Sequence, residues 1–183
     1  MSVYTIGHYN HSKEKFLSLL HSKEIDCVVD VRSMPGSNRN PHFNKDQIKE
    51  WLAKASIKYS HIPNLGGRRS RSGEVGKVLN AGWNNQSFHN YADYTLTKDF
   101  QRAIEGLKSL IKSYRVVIMC SERHPSRCHR LIISNYLKAN SYPVIHIIPD
   151  AEANPEYVEH QLGQWGAMPV IEEDGTVVYP DLY

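Results

Sequence analysis

Val116-Val-Ile-Met-Cys-Ser-Glu-Arg-His-Pro-Ser-Arg-Cys-His-Arg-Leu-Ile-Ile133 is the stretch that decides the fold of this chain. Its first four residues are all apolar, which is typical of a strand buried on both faces. Apolar residues recur at helical spacing from Leu131 to Leu137, and Ser126 after Pro125 predicts the N-cap of that helix. The stretch therefore predicts a buried strand, a polar loop and a helix, in that order.

The polar loop, from Cys120 to Arg130, concentrates chemically reactive side chains. It contains two thiols, a carboxylate, two imidazoles and three guanidiniums. In open α/β sheets the carboxyl ends of the strands border the usual ligand crevice, and free N–H groups at a helix amino end favour anions there. The loop is therefore predicted to belong to a functional site.

The alternation of strands and helices continues along the whole chain. Strands are predicted at 3–6, 26–31, 57–61, 115–120 and 143–148, and helices at 12–22, 45–55, 97–113 and 127–140. This rhythm predicts a largely parallel sheet with helices on both faces, that is, a three-layer, Rossmann-like α/β fold. We expect residues 1–183 to form a single domain, because this length can bury a sizeable core.

Two segments depart from this rhythm. Residues 63–94 lose hydrophobic periodicity and are predicted to form a long basic and aromatic loop, which is more often functional than filler in a compact domain. The aromatic residues can equally anchor this loop to the core. Residues 150–183 are predicted to form an acidic C-terminal extension, with a helix within 150–165 and a β-hairpin around 173–175.

The net charge of +3 conceals an uneven distribution. Residues 1–149 hold all 22 Lys and Arg against 11 acids, whereas residues 150–183 hold 8 acids and no Lys or Arg. The acidic segment can pack on the basic body or border an anion-binding face of it. Arginine placement favours an anion-binding face, because Arg clusters in predicted loops, where its planar fork can grip phosphate or carboxylate. These residues are Arg32 and Arg39, then Arg68, Arg69 and Arg71, then Arg123, Arg127 and Arg130.

Composition also bears on location. No apolar run approaches the roughly 20 residues of a membrane-spanning helix, and the chain starts with a predicted strand rather than a signal peptide. We therefore expect a cytoplasmic protein without membrane contact. The number of cysteines is odd, so the three cannot all form disulfides, and Cys27 lies in a predicted buried strand. No disulfide framework is therefore predicted.

Short motifs occur in order along the chain: Thr5-Ile-Gly-His8, Asp30-Val-Arg32 with Pro35 and Ser37, Arg39-Asn-Pro41 before Phe43, Leu65-Gly-Gly67, Tyr91-Ala-Asp93, and Cys120-x-Glu122 followed by Cys128-His-Arg130. Together they resemble the hallmarks of the family called domain of unknown function 488, over about residues 3–148. The resemblance implies an α/β fold and a shared site at these positions. The general activity of that family is not established, so the resemblance implies the location of the site rather than its chemistry.

Five side chains are candidate catalytic groups: His8, Cys120, Glu122, Cys128 and His129. A thiol beside arginines and helix N–H groups is favoured as a thiolate and can act as a nucleophile, although either cysteine could simply be buried. Glu122 can transfer protons beside His8, or form a salt bridge to a nearby arginine. If the strands preceding His8, Arg32 and Cys120 are parallel, we expect these three residues to lie on one rim of the sheet.

The candidate substrate-binding residues combine positive charge with a flat ring, which is suited to gripping phosphates and stacking bases. They are Arg32, Arg39, Arg68, Arg69, Arg127, Arg130 and Tyr91. Asp30 is predicted to orient a neighbouring arginine or a helix end. We predict no metal and no cofactor, because Cys120 and Cys128 are spaced unlike the Cys-x2–4-Cys pairs of structural zinc sites.

Three functions are consistent with these residues. The first is a hydrolase or lyase acting on an anionic, phosphate-bearing substrate, above all DNA, RNA or a nucleotide. The second is rhodanese-like thiol or persulfide transfer through Cys120, since strand, Cys, loop, Arg and helix follow in that layout. The loop from Cys120 to Arg127 is one residue longer than the phosphatase interval and lacks glycines. The third is a non-catalytic nucleic-acid-binding module whose arginines contact the backbone.

Overall fold

The buried strand predicted from Val116 lies at the centre of a six-stranded sheet in the computed structural model, which describes residues 1–36 and 38–182. Ser37, one of the motif residues, lies outside the described residues. The strands are β1 (Val3–Gly7), β2 (Cys27–Asp30), β3 (Lys58–His61), β4 (Val116–Cys120), β5 (Val144–Pro149) and β6 (Pro155–Glu159). Their order is β3-β2-β4-β1-β5-β6. The first five strands along the chain run parallel, and β6 is antiparallel to β5.

Five α-helices cover the two faces of this sheet: α1 (Lys13–His21), α2 (Lys45–Lys54), α3 (Gln86–Tyr94), α4 (Lys98–Ser113) and α5 (Arg130–Ala139). Successive side chains of a strand point to opposite faces. Ile118 and Cys120 pack in the core with α3, α4 and α5, whereas Val117 and Met119 pack with α1 and α2. The predicted three-layer α/β architecture is therefore confirmed. A short antiparallel hairpin of β7 (Val170–Ile171) and β8 (Val177–Val178) follows, as predicted.

The start of α5 differs from the prediction. Pro125–Arg127 forms a separate 3-10 turn, and the backbone N–H of Ser126 is bonded to the His124 imidazole. Cys128 then returns to an extended backbone conformation, so the helix cannot continue through it. The N-cap of α5 is consequently His129 and not Ser126.

The helix predicted within 150–165 is wrong, because this segment contains the edge strand β6. The Asp150 carboxylate accepts the backbone N–H groups of Glu152 and Asn154, which closes a tight turn. The chain then reverses and pairs with the edge of β5, from Pro149 with Pro155 to Ile145 with Glu159. The turn bonds and the strand pairing therefore take the place of helix hydrogen bonds.

The segment 63–94, predicted to be irregular, ends in α3 and is held partly by the C-terminal segment. The Gly82 N–H donates to the Tyr179 carbonyl, and the Tyr179 N–H donates to the Leu79 carbonyl and the Asn80 side chain. The acidic extension therefore packs against the body of the protein through backbone pairing. Within residues 1–36 and 38–182, no helix combines the length and apolar character needed to cross a membrane.

Candidate functional site

The carboxyl ends of β1, β4 and β2 border a cavity of about 1260 Å³, which we call the rim cavity. Gly7 of β1 pairs with Cys120 of β4, and Asp30 of β2 pairs with Met119. Because these strands are parallel neighbours, the residues that follow them lie side by side. All five candidate catalytic residues line the cavity, as do Arg32, Arg39, Arg68 and Arg127.

Arg32 enters the cavity wall as part of a buried ion pair. Its Nη2 lies 2.7 Å from Asp30 Oδ2, its Nε lies 2.9 Å from Asp30 Oδ1, and its backbone N–H also donates to that carboxylate. Tyr59 donates its hydroxyl to Asp30 as well, at 2.5 Å. Asp30 therefore orients a neighbouring arginine, as predicted.

His8 is held neutral beside this ion pair. Its Nδ1 donates to the Tyr9 carbonyl at 2.8 Å, so its Nε2 is the acceptor that lies 3.2 Å from Arg32 Nη1. Burial has the largest effect on the pKa of His8, and together with the charge of the Arg32 guanidinium it lowers this pKa to about 4. The ring also stacks on Phe43, with centroids 4.4 Å apart. Both ring nitrogens are thus engaged, and His8 is placed to orient Arg32.

The loop that carries Glu122 crosses directly over Gly7. His8 and Tyr9 continue the strand ladder by donating to the carbonyls of Cys120 and Ser121. A Cβ atom on Gly7 would lie 1.7 Å from the Glu122 carbonyl oxygen, so only glycine allows this close approach. The Glu122 side chain is exposed at the cavity and forms no ion pair among the described residues.

The two cysteines of the cavity are in contact but have opposite properties. Burial, followed by hydrogen bonding to Cys128, raises the pKa of Cys120 well above its usual range. Burial also opposes ionisation of Cys128. The hydrogen bond from Cys120, the Arg130 guanidinium and the Arg130 backbone N–H outweigh that effect and lower the Cys128 pKa. The Cys120 thiol donates to the Glu122 carbonyl at 3.9 Å, and Cys128 is the more easily ionised thiol of the two.

His129 is held against Cys128 by the backbone of β2. Its Nε2 donates to the Val31 carbonyl at 2.8 Å, which leaves Nδ1 as an acceptor 3.5 Å from Cys128 Sγ. Burial lowers the pKa of His129, so the ring is kept neutral. A Cβ atom on Gly67 would lie 2.5 Å from His129 Nδ1, so the glycine backbone packs on the ring. Cys128 Sγ, His129 Nδ1 and Nε2, and the Val31 carbonyl thus form a continuous chain of contacts.

Two arginines at the mouth of the cavity carry charge that no carboxylate balances. Among the described residues, neither Arg68 nor Arg127 forms an ion pair. The nearest polar partner recorded for the Arg68 guanidinium is the Met34 sulfur, at 3.8 Å. Both arginines are therefore available to an anion that enters from solvent.

The sequence of this cavity can be compared with known proteins. A family model described as "Domain of unknown function DUF488" matches residues 12–137 of the 183-residue chain. The chain belongs to the DUF488 family. The match contains the loop from Cys120 to Arg130, whereas Thr5 to His8 precede it. No curated protein and no solved structure shows significant similarity to the chain.

Three residues predicted to bind substrate in this DUF488 protein do not line the cavity. Tyr91 is fully buried, and its hydroxyl donates to the Leu65 carbonyl. Arg69 stacks on the Tyr94 ring at 3.7 Å and donates to backbone carbonyls of its own loop. Arg130 is fully buried and donates to the carbonyls of Glu122 and Arg123. Burial or internal bonding therefore keeps these three side chains out of the cavity lining.

Other lining residues were missed by the sequence analysis because α3 was not predicted. Asn85 caps α3 by accepting the Phe88 N–H, and with Ser87 these residues form one cavity wall. An Asn before a short helical segment is an N-cap signal, and it could have located this wall. Tyr9 and Met34 are exposed on the cavity lip. No group of three or more potential metal ligands is assembled among the described residues.

Proposed function

We propose that this DUF488 protein is an enzyme of hydrolase or lyase type whose rim cavity binds a phosphate-bearing substrate, a nucleotide or a nucleic-acid strand. The observation that supports the proposal most is the combination, in one cavity, of cations at the mouth and reactive groups on the wall. A site for a neutral ligand has no use for unbalanced guanidiniums, and a purely structural cavity has no use for a thiol with a lowered pKa.

The charge of the cavity favours an anion. Arg32 is neutralised by Asp30, but Arg68 and Arg127 lack such partners among the described residues, and Glu122 is the only carboxylate on the described lining. The amino-terminal ends of α3 and α5 also contribute lining residues, and their dipoles favour negative charge. This balance is that of a phosphate-binding crevice at the carboxyl ends of parallel strands.

The shape and lining of the cavity favour a planar group beside the phosphate. The volume is ample for a nucleotide, since ligand pockets usually measure about 300 to 1,000 Å³. Phe88 lines one wall, and Tyr9 is 45% exposed on the lip with a left-handed backbone, φ +46°. Exposed rings beside arginines are the elements with which proteins stack bases and hold the backbone of single strands.

The reactive groups support bond cleavage rather than binding alone. The Glu122 carboxylate has no ion-pair partner among the described residues, so it is available to give or take a proton at the cavity. The thiols supply a nucleophile. Turnover in a panel of nucleotides and oligonucleotides, followed by mass spectrometry of the products, would identify the bond. Glu122→Gln is expected to abolish turnover while leaving affinity within a factor of about two, as the loss of a proton-transfer group requires.

Binding is tested by charge reversal at the mouth of the cavity. In the Arg68→Glu/Arg127→Glu double variant, affinity for a labelled oligonucleotide should fall at least about tenfold. The slope of the logarithm of the binding constant against the logarithm of the salt concentration should become smaller in magnitude by roughly 1.4 to 1.8. Arg102→Glu, on the exposed face of α4, is the matched control and should change neither. If the double variant binds like wild type at every salt concentration, a phosphate-bearing substrate in this cavity is ruled out.

The two alternative functions have weaker support. Sulfur transfer through Cys120 requires a reactive thiolate there, whereas Cys120 is buried and its pKa is raised. Cys120→Ser is therefore expected to retain activity under our proposal and to abolish it under sulfur transfer. A non-catalytic nucleic-acid-binding module would bind the same oligonucleotides but would release unchanged strands after any incubation.

A further inference from the structure

A fully buried guanidinium without a carboxylate partner adjoins the wall of the rim cavity. No Asp or Glu of the described residues forms an ion pair with Arg130. Its Nη2 donates to the carbonyls of Glu122 and Arg123 at 3.0 and 3.1 Å. Its Nε and Nη1 are buried and have no hydrogen-bond acceptor among the described residues. A buried cation is strongly destabilising unless an anion lies nearby, so this arrangement requires a counter-ion.

The chemistry around Cys128 identifies that counter-ion. The Arg130 backbone N–H points at Cys128 Sγ, 3.4 Å away, and the Cys120 thiol also contacts this sulfur. A backbone N–H donor and a nearby guanidinium favour the thiolate form of this sulfur over the thiol. Both cysteines line the cavity, and Cys128 is 6% exposed whereas Cys120 is 2% exposed.

The titratable groups that face Cys128 come from four parts of the fold. They are Cys120 at the end of β4, Tyr91 on α3, Glu122 in the loop, and His129 and Arg130 at the start of α5. Tyr91 is held neutral because burial raises its pKa well above its usual range. Glu122 alone opposes a negative charge on Cys128, from an exposed position where solvent screens it.

We propose that Cys128 is a resident thiolate stabilised by the backbone N–H and the nearby charge of the buried Arg130, and that its sulfur is the nucleophile of the rim cavity. In its protonated form, the Cys128 thiol has a hydrogen-bond acceptor in His129 Nδ1, whose tautomer is fixed by the bond from Nε2 to the Val31 carbonyl, and the neutral ring does not itself take the proton. Cys120 remains a thiol, and its Sγ donates to the Glu122 carbonyl at 3.9 Å. The substrate that Cys128 attacks rests on the proposed function, but the thiolate itself does not.

The covalent step follows from these positions. Cys128 Sγ forms a bond to the electrophilic atom of the substrate, and the electron pair of the broken bond departs with the leaving group. The leaving group takes the proton that it needs from solvent, at the exposed Glu122 side of the cavity. A water molecule then cleaves the adduct and restores the thiolate, and the proton that this water loses replaces the one that the leaving group took from solvent. One substrate and one water thus give two products, and the enzyme is unchanged.

Alkylation of the full chain by iodoacetamide, followed by peptide mapping, tests the thiolate without any substrate. Sγ forms a bond to the acetamide carbon and iodide leaves, so the rate of each cysteine follows its thiolate fraction. The rates are measured between about pH 5 and 9. Cys128 should be alkylated fastest of the three cysteines. The pH at which its alkylation rate is half-maximal should be lower than for the same cysteine in urea-unfolded protein. Cys27 and Cys120 should react last, because burial raises the pKa of Cys27 to about 11 and that of Cys120 as well.

Arg130→Met is expected to shift the Cys128 profile to higher pH and to slow its alkylation near pH 6 at least about tenfold. The control is Arg115→Met, which removes another partly buried arginine, bonded to the Lys23 carbonyl and the Tyr4 hydroxyl. If the Cys128 profiles of wild type and Arg130→Met coincide, the ion pair is refuted.

A second measurement keeps the proposal testable if Arg130→Met does not fold. Thiolates absorb near 240 nm. At neutral pH the Cys128→Ser variant should therefore absorb less at this wavelength than the wild-type protein. Equal absorbance of the two proteins overturns the proposal. The two proposals fail separately. Slow, unselective alkylation with intact oligonucleotide binding refutes only the thiolate, whereas selective alkylation without oligonucleotide binding refutes only the substrate class.

Discussion

Acidification should destabilise this protein through a pair of buried histidines at the junction of β5 and the C-terminal segment. His160 Nε2 lies 2.7 Å from the Asn135 side-chain oxygen, which can only accept, so this ring nitrogen carries a proton. His160 Nδ1 must then accept from His146 Nε2 at 2.9 Å, and His146 Nδ1 from the Thr5 hydroxyl at 2.7 Å. Every ring nitrogen is occupied, and a second proton on either ring breaks a buried hydrogen bond.

The pKa values give the sign and size of the effect. Burial, and to a smaller extent the neighbouring His160, lowers the pKa of His146 to about 2. Burial lowers the pKa of His160 to about 4. Both values lie below about 6.5, the pKa of histidine in an unfolded chain, so the unfolded state binds more protons as pH falls below 6.5. From about pH 7 to pH 5 each histidine should remove about 2 kcal/mol from the free energy of unfolding, and the pair about 4 kcal/mol. That is a large part of the total for a typical domain.

Urea unfolding at the two pH values measures this loss. His160→Gln should be less stable than wild type at neutral pH, but should lose about 2 kcal/mol less on acidification, because one titrating ring is gone. His21→Gln, at the exposed end of α1, should lose as much as wild type. If His160→Gln and wild type lose equal stability, or if either buried imidazole titrates near pH 6.5 in the NMR spectrum of the folded protein, the reasoning fails.

Further predictions concern the architecture of the rim. Gly7→Ala should lower the free energy of unfolding by more than about 2 kcal/mol, because its Cβ would meet the Glu122 carbonyl. Gly106→Ala in α4, where nothing lies within 4 Å of the added Cβ, should instead stabilise by about 1 kcal/mol, and urea unfolding compares the two. Asp30→Asn should cost about 3 to 5 kcal/mol, because it leaves the Arg32 guanidinium buried and unpaired. A loss below about 1 kcal/mol for Asp30→Asn would show that solvent already reaches this ion pair.

The sheet and its rim could be predicted from the sequence because their signals are local. Short apolar runs bounded by polar turns specify buried strands, and parallel strands bring their carboxyl ends to one edge whatever the loops contain. The edge strand β6 could not be predicted in this way. Pro155–Glu159 is mostly exposed and has no apolar alternation, and only its pairing with β5 makes it a strand.

Residue type predicted which groups the site contains, but not the orientation of each. Arg127 and Arg130 are three residues apart in one polar loop and look equivalent in the sequence. Arg127 is exposed at the cavity mouth, whereas Arg130, as the first residue of α5, is fully buried. Burial of a guanidinium depends on acceptors contributed by the returning loop, here the carbonyls of Glu122 and Arg123. No periodicity in the sequence encodes those acceptors.

The difference between the two cysteines has a similar origin in the path of the backbone. Cys120 is the last residue of β4, so the strand directs its side chain into the core with α4 and α5. Cys128 lies after the loop, in extended conformation one residue before the N-cap of α5, and it approaches the same point from the cavity side. The chain thus brings two identical groups together from opposite directions. Cys120 is enclosed in the core and donates to the Glu122 carbonyl, whereas Cys128 lies next to a guanidinium, a helix amino end and the cavity. Two like groups whose surroundings push their pKa values apart can divide the supporting and reacting roles. Under the proposed mechanism, this difference in surroundings gives Cys128 the reacting role.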